Sequence, residues 1–151
     1  MRFILIDEIL ELSPGLYIRA VKTMPPDEEL FKDHFPGFPV VPGVLLIEMM
    51  AQAVGKCLAA EDTKRGRAML AKVTSASFRE WVKPGQLSII EARIRSSRAQ
   101  FATADCCVEV EGQAVAESSL LFAFMPHEQF APDYRDAILD NFLKKCGAPC
   151  P

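Results

Sequence analysis

Residues 42–60 read PGVLLIEMMAQAVGKCLAA, and the architecture turns on this stretch. From Val44 to Ala60 there is no proline and a single glycine, Gly55. Leu, Met, Ala, Glu and Gln dominate, all good helix formers. Apolar residues run round most of the circumference, so the helix is expected to be buried on nearly all sides. Pro42-Gly43 stands at its start, where backbone N–H groups have no partner inside the helix.

Downstream the pattern changes to strands: AMLAKVTSASF, LSIIEARIRSS, FATADCCVEVE and AVAESSLLFAF. Lys83-Pro84-Gly85, the polar stretch 96–100 and Glu111-Gly112-Gln113 separate them at hairpin-like spacing, so the sheet should be antiparallel. An apolar helix followed by long strands predicts an α+β fold in which the sheet wraps a central helix. Upstream, Pro25, Pro26, Pro36, Pro39 and Pro42 forbid a helix or inner strand over residues 24–42. Residues 1–23 read as a strand pair, with apolar FILI, the Ser13-Pro14-Gly15 turn and LYIRAVKT. From Pro126 the pattern weakens. YRDAILDNFLKKC suggests a short amphipathic helix and GAPCP a frayed end. The expected organisation is one domain over 1–125 and a C-terminal extension over 126–151.

A chain of 151 residues, half apolar and a quarter charged, can close one hydrophobic core. A net charge of −3 offers no basic face for nucleic acid and no polybasic membrane anchor. Glu48, Gln52 and Lys56 interrupt the apolar helix, which argues against a membrane span. Acidic residues begin at Asp7, which argues against a signal peptide. The five cysteines, Cys57, Cys106, Cys107, Cys146 and Cys150, form no disulfide framework, and a cytoplasmic location is expected. Cys146 and Cys150 have only His127 near them in sequence, too few ligands for a zinc site, so no metal is expected.

The chemistry concentrates in FKDHFPGFPVVPGVLLIEMMAQ, residues 31–52. His34 sits in the proline-stiffened loop and Glu48 inside the apolar helix. A carboxyl taken out of water favours its protonated form and becomes a proton donor. An imidazole is a competent base at neutral pH. Gln52, one turn beyond Glu48, shares its face and can hydrogen-bond the carboxyl. Gly43 lies at the helix N-terminus, where free N–H groups and the macrodipole favour developing negative charge. Base, acid and oxyanion donor together suit an elimination.

The stretch resembles the signature of the 3-hydroxyacyl-[acyl-carrier-protein] dehydratases of the FabZ type. That signature runs His-Phe-Pro-Gly, one residue, Pro-Val, one residue, Pro-Gly-Val-Leu, then Glu with Gln four residues later. Every fixed position is present, and Glu48 follows His34 by 14 residues. A weaker resemblance extends over about residues 3–125, through FILIDEILELSPG, VKPGQL and VEGQAVAESSLLF.

The resemblance implies a hotdog fold and the reversible dehydration of (3R)-3-hydroxyacyl thioesters to trans-2-enoyl thioesters. It implies His34 and Glu48 as catalytic residues, Gly43 as the thioester-binding N–H and Gln52 as the residue orienting Glu48. Phe35, Pro42 and Val44 would support them. It further implies a homodimer that shares its sites between subunits, with dimers able to assemble in threes. It implies no cofactor beyond the phosphopantetheine of the acyl carrier protein that bears the substrate. Carrier protein is acidic, so Lys64, Arg65, Arg67, Arg79 and Lys83 are candidates for its docking.

Two places depart from the family pattern. Where relatives carry a His-Arg-Tyr-Pro-like stretch, this chain reads Met1-Arg2-Phe3, and Glu80-Trp81 change an Arg-rich stretch. Acyl length therefore does not follow from the resemblance. A dehydratase–isomerase would carry Asp where Glu48 stands and Cys where Asp33 stands. The other readings are a hotdog thioesterase and a non-catalytic acyl-binding subunit.

Overall fold

The computed structural model describes residues 1–61, 64–130 and 133–147. At its centre is helix α2 (Gly43–Glu61), preceded by one short helical turn, α1 (Leu30–Asp33). The strands are β1 (Glu8–Ser13), β2 (Tyr17–Thr23), β3 (Arg67–Phe78), β4 (Leu87–Ser97), β5 (Phe101–Val110) and β6 (Gln113–Met125). They form one sheet in the order β1-β2-β4-β5-β6-β3, antiparallel at every step. Helix α2 touches β2, β3, β4, β5 and β6. This is the expected α+β hotdog arrangement, a sheet curled round a helix.

The side chains explain the curl. Along β5 buried and half-buried residues alternate, and Ala102, Ala104, Cys106 and Val108 face the helix. Ala20, Ala92 and Ala116 are buried in neighbouring strands. Small residues let the sheet approach a helix that presents Leu46, Met49, Met50 and Leu58. Burying each of those larger side chains contributes roughly 1.5–3 kcal/mol. Two register shifts in β3, at Leu70/Lys72 and Val73/Ser75, bend its strand further. Gly66 makes the turn into β3 possible. Its φ is +95°, and a Cβ there would lie 2.0 Å from the Met125 carbonyl oxygen.

Three expectations change. Residues 24–42 are not free of helix, because α1 forms at Leu30–Asp33 in the proline-free gap between Pro26 and Pro36. The apolar FILI segment is not a strand, since β1 begins at Glu8. Leu5 and Ile6 are instead plugged into the core, and the Leu5 N–H donates to Gln52 Oε1 at 2.8 Å. A buried apolar run needs partners for its backbone, and here a side-chain amide replaces a neighbouring strand. Nor is α2 covered all round. Val44 is 71% exposed, and Ile47, Glu48, Gln52 and Gly55 are half-buried. Length and composition alone would let α2 cross a membrane, yet it is the helix the sheet encloses.

Beyond β6 comes a 3-10 turn at His127–Gln129 and helix α3 (Ala137–Lys145), which packs on β1. Asp136 caps α3 by accepting from the Leu139 N–H at 3.1 Å, and Leu139 and Leu143 sit in the core.

Cys57, Cys106, Cys107 and Cys146 are free thiols, and Cys150 lies outside the described residues. Burial pushes the Cys57 thiol up to about 11 and that of Cys106 to about 12. Only a thiolate attacks an alkylating reagent. Iodoacetamide applied to the native protein should therefore label exposed Cys146 and leave Cys57 and Cys106 untouched until denaturant is added. Site-resolved mass spectrometry checks this. Early labelling of Cys57 would contradict the packing described here.

Candidate active site

His34 follows α1, and its N–H donates to the Leu30 carbonyl at 3.0 Å. The loop then doubles back on itself. The Val40 N–H donates to the His34 carbonyl at 3.1 Å, and Phe35 and Phe38 exchange backbone hydrogen bonds. Gly37 supplies the positive φ of +75° that this tight turn needs. The Val41 N–H donates to the Val82 carbonyl at 2.7 Å, pinning the loop to the connection between β3 and β4. The His34–Phe35 peptide is cis, and the Phe35 ring stacks on the imidazole at 4.2 Å.

The imidazole is half-buried, with Nδ1 3.2 Å from the Val40 carbonyl oxygen. A carbonyl only accepts, so this contact places the ring proton on Nδ1. Nε2 is then the free lone pair, the arrangement a general base needs.

Glu48 projects from the second turn of α2. Gln52 Nε2 donates to Glu48 Oε1 at 3.0 Å and to the Phe3 carbonyl at 3.2 Å, while Gln52 Oε1 takes the Leu5 N–H. Both ends of the amide are thus fixed, and the N-terminal segment orients the residue that orients the carboxyl.

Gly43 opens α2 after Pro42, whose carbonyl accepts from the Leu45 and Leu46 N–H groups. The Gly43 N–H belongs to the first turn, which has no carbonyl behind it to receive its donors. A Cβ at Gly43 would stand 3.0 Å from the Phe78 ring, so the helix start rests against the end of β3.

A cleft of about 1120 Å³ opens beside Glu48 and Gln52. Its walls are the N-terminal segment 1–7, one face of α2, the first residues of β3 and the segment 134–138. His34 and Gly43 are not among its lining residues. Glu48 and Gln52 thus meet in the cleft, whereas His34 and Gly43 lie outside its lining.

Phe35, Phe38, Val44, Phe78, Met69 and Leu70 are all exposed apolar side chains. Of the basic candidates, Arg65 pairs with Glu61 at 2.6 Å, and Arg79 pairs with Glu117. Arg67 lies in the cleft, its guanidinium 4.1 Å from the Tyr134 ring and 5.1 Å from Phe130. Lys64 and Lys83 are exposed. Among the described residues no group of three His, Cys, Asp or Glu is placed to hold a metal ion.

Lys56 is a residue that composition alone passes over. It is only 7% exposed, and its Nζ meets Asp136 Oδ2 at 2.6 Å. The sequence signal was its spacing: Glu48, Gln52 and Lys56 fall four apart on one helix face. Its partner, 80 residues away, had no such signal.

The FabA-like domain family matches residues 1–119. The chain is 37% identical over 122 residues to a 3-hydroxyacyl-[acyl-carrier-protein] dehydratase FabZ of Ruminiclostridium cellulolyticum, covering 80% of this chain and 86% of that protein. It is 34% identical to one of Listeria monocytogenes, covering 80% and 85%. Among solved structures, the dehydratase heterocomplex ApeI:P of Xenorhabdus doucetiae superposes with a TM-score of 0.68 at 17% identity. That match covers 84% of this chain and 86% of the other. Carrying the loop, the helix and the curled sheet together, the chain belongs to the FabA-like family.

Proposed function

We propose that this protein is a 3-hydroxyacyl-[acyl-carrier-protein] dehydratase of fatty acid or related acyl-chain synthesis. The observation that carries this reading is that base and acid are each held ready by a partner of their own. Val40 leaves His34 Nε2 free to take a proton, and Gln52 holds one oxygen of Glu48 and so fixes where the other points. In the reaction His34 removes a proton from C2 of the 3-hydroxyacyl thioester. The Gly43 N–H binds the thioester oxygen as charge grows on it. The C2–H electron pair becomes the C2–C3 double bond, the C3–O bond breaks, and Glu48 protonates the departing hydroxyl to water. No cofactor enters beyond the phosphopantetheine that carries the acyl group, and the free thiols suit a cytoplasmic enzyme.

The site is completed in a dimer. Strand β3, twelve residues long, has among the described residues a strand partner on one side only. Antiparallel pairing of two β3 strands sets the Phe78 end of one copy against the Arg67–Leu70 start of the other. Phe78 supports Gly43, and Met69 and Leu70 line the cleft of Glu48. The pairing therefore brings the His34 half of one subunit to the Glu48 half of its neighbour and covers the exposed apolar residues between them. Acyl carrier protein is the second partner, with exposed Lys83 as a candidate basic contact.

The test follows an enoyl thioester on carrier protein and on coenzyme A. Reversible hydration with the thioester bond intact is the expected result. Release of free thiol and free acid would instead make the protein a thioesterase.

A further inference from the structure

We infer that the segment Tyr134–Ile138 is the end wall of the acyl site, and that Tyr134 and Ile138 limit the length of chain accepted; this rests on the dehydratase reading above. Glu48, Gln52 and Lys56 line one cleft along one face of α2. Eight residues separate the first from the last, so Lys56 lies two turns, about 12 Å, beyond Glu48. Between them the helix shows the cleft Gln52 and the small residues Ala51 and Gly55, which leave a shallow trough beside the amide. Met69, Leu70 and Phe122 form its apolar sides. At the Lys56 end stand Tyr134 and Ile138.

That end wall is pinned, not draped. Asp136 binds Lys56 through Oδ2 and caps α3 through Oδ1, so one carboxylate ties the segment to two helices. Leu139 and Leu143 anchor the following turns in the core. Tyr134 packs on the Arg67 guanidinium at the start of β3. Asp136 of the wall pairs with Lys56 of α2 at 2.6 Å, so these two charges neutralise each other. An acyl tail leaving Glu48 along the trough therefore meets apolar surface and then a fixed stop. All five wall residues lie beyond the stretch that matches the FabA-like domain, so this stop belongs to the chain's own extension.

The experiment measures kcat/KM along a series of enoyl thioesters from short to long, for wild type beside Tyr134→Ala, Ile138→Ala and Ile138→Trp. Methylene-sized changes in an apolar pocket alter kcat/KM by about tenfold or more. Either alanine variant should raise the long-to-short ratio by about that factor, and the tryptophan variant should lower it. Tyr134 is exposed enough that its alanine variant reads the wall even where changes at Ile138 disturb folding. An unchanged ratio in folded, active variants overturns the wall. A wild-type protein inert on every length overturns the dehydratase reading and this one with it, so the two failures are told apart.

Discussion

Replacing His34 with alanine is expected to lower the dehydration rate by at least about a hundredfold, the usual contribution of a positioned general base. The imidazole is half-buried, follows a one-turn helix and touches the Val40 carbonyl and the Phe35 ring. Its ring hydrogen bond goes to a loop carbonyl, and the loop keeps its own backbone closures at Val40, Phe38 and Val41. The variant should accordingly unfold within a few degrees of wild type while losing activity. Steady-state rates and thermal melts on the same preparation make the comparison. A folded variant that retained most of its activity would remove His34 from the mechanism.

Glu48→Gln should cost a similar factor, for a different reason. The amide is nearly the same shape, and its oxygen still accepts from Gln52 Nε2, so the packing of α2 is preserved. What disappears is the transferable proton. The proposed sharing of the site between two subunits adds a sharper expectation. Neither variant works alone, but mixed under conditions of subunit exchange they should recover about a quarter of wild-type activity. Random exchange makes half the dimers mixed, and each mixed dimer holds one site with both residues intact. Differently tagged copies report the exchange independently. Exchange without recovery would mean that His34 and Glu48 act within one chain, contrary to the cleft that holds only Glu48.

Much of this molecule is set by short-range chemistry and is readable in the chain itself. The helix at residues 43–61 follows from seventeen consecutive residues without proline, and the four long strands from alternation bounded by turn residues. The Gln52–Glu48 contact follows from the pitch of a helix, and the stiff loop at His34 from its prolines. These are local facts, because spacing along one element fixes which side chains meet.

Tertiary structure decided the rest, since it depends on what distant segments do with unmet hydrogen bonds and charges. The FILI segment has strand composition, but Gln52 captured its backbone and turned it into the cleft wall. Lys56 reads as a mere interruption of an apolar helix until Asp136 arrives from the extension, because a buried ammonium persists only when it is paired. Helix α2 reads as buried on nearly all sides, yet one sheet cannot enclose a cylinder, so the stripe at Val44, Ile47 and Glu48 remains open. The sequence by itself determined the helix, the strands and the motif residues His34, Gly43, Glu48 and Gln52 that they carry. Only the folded chain placed Glu48 and Gln52 in a cleft walled by segments 1–7 and 134–138, because no local pattern records which distant segments meet.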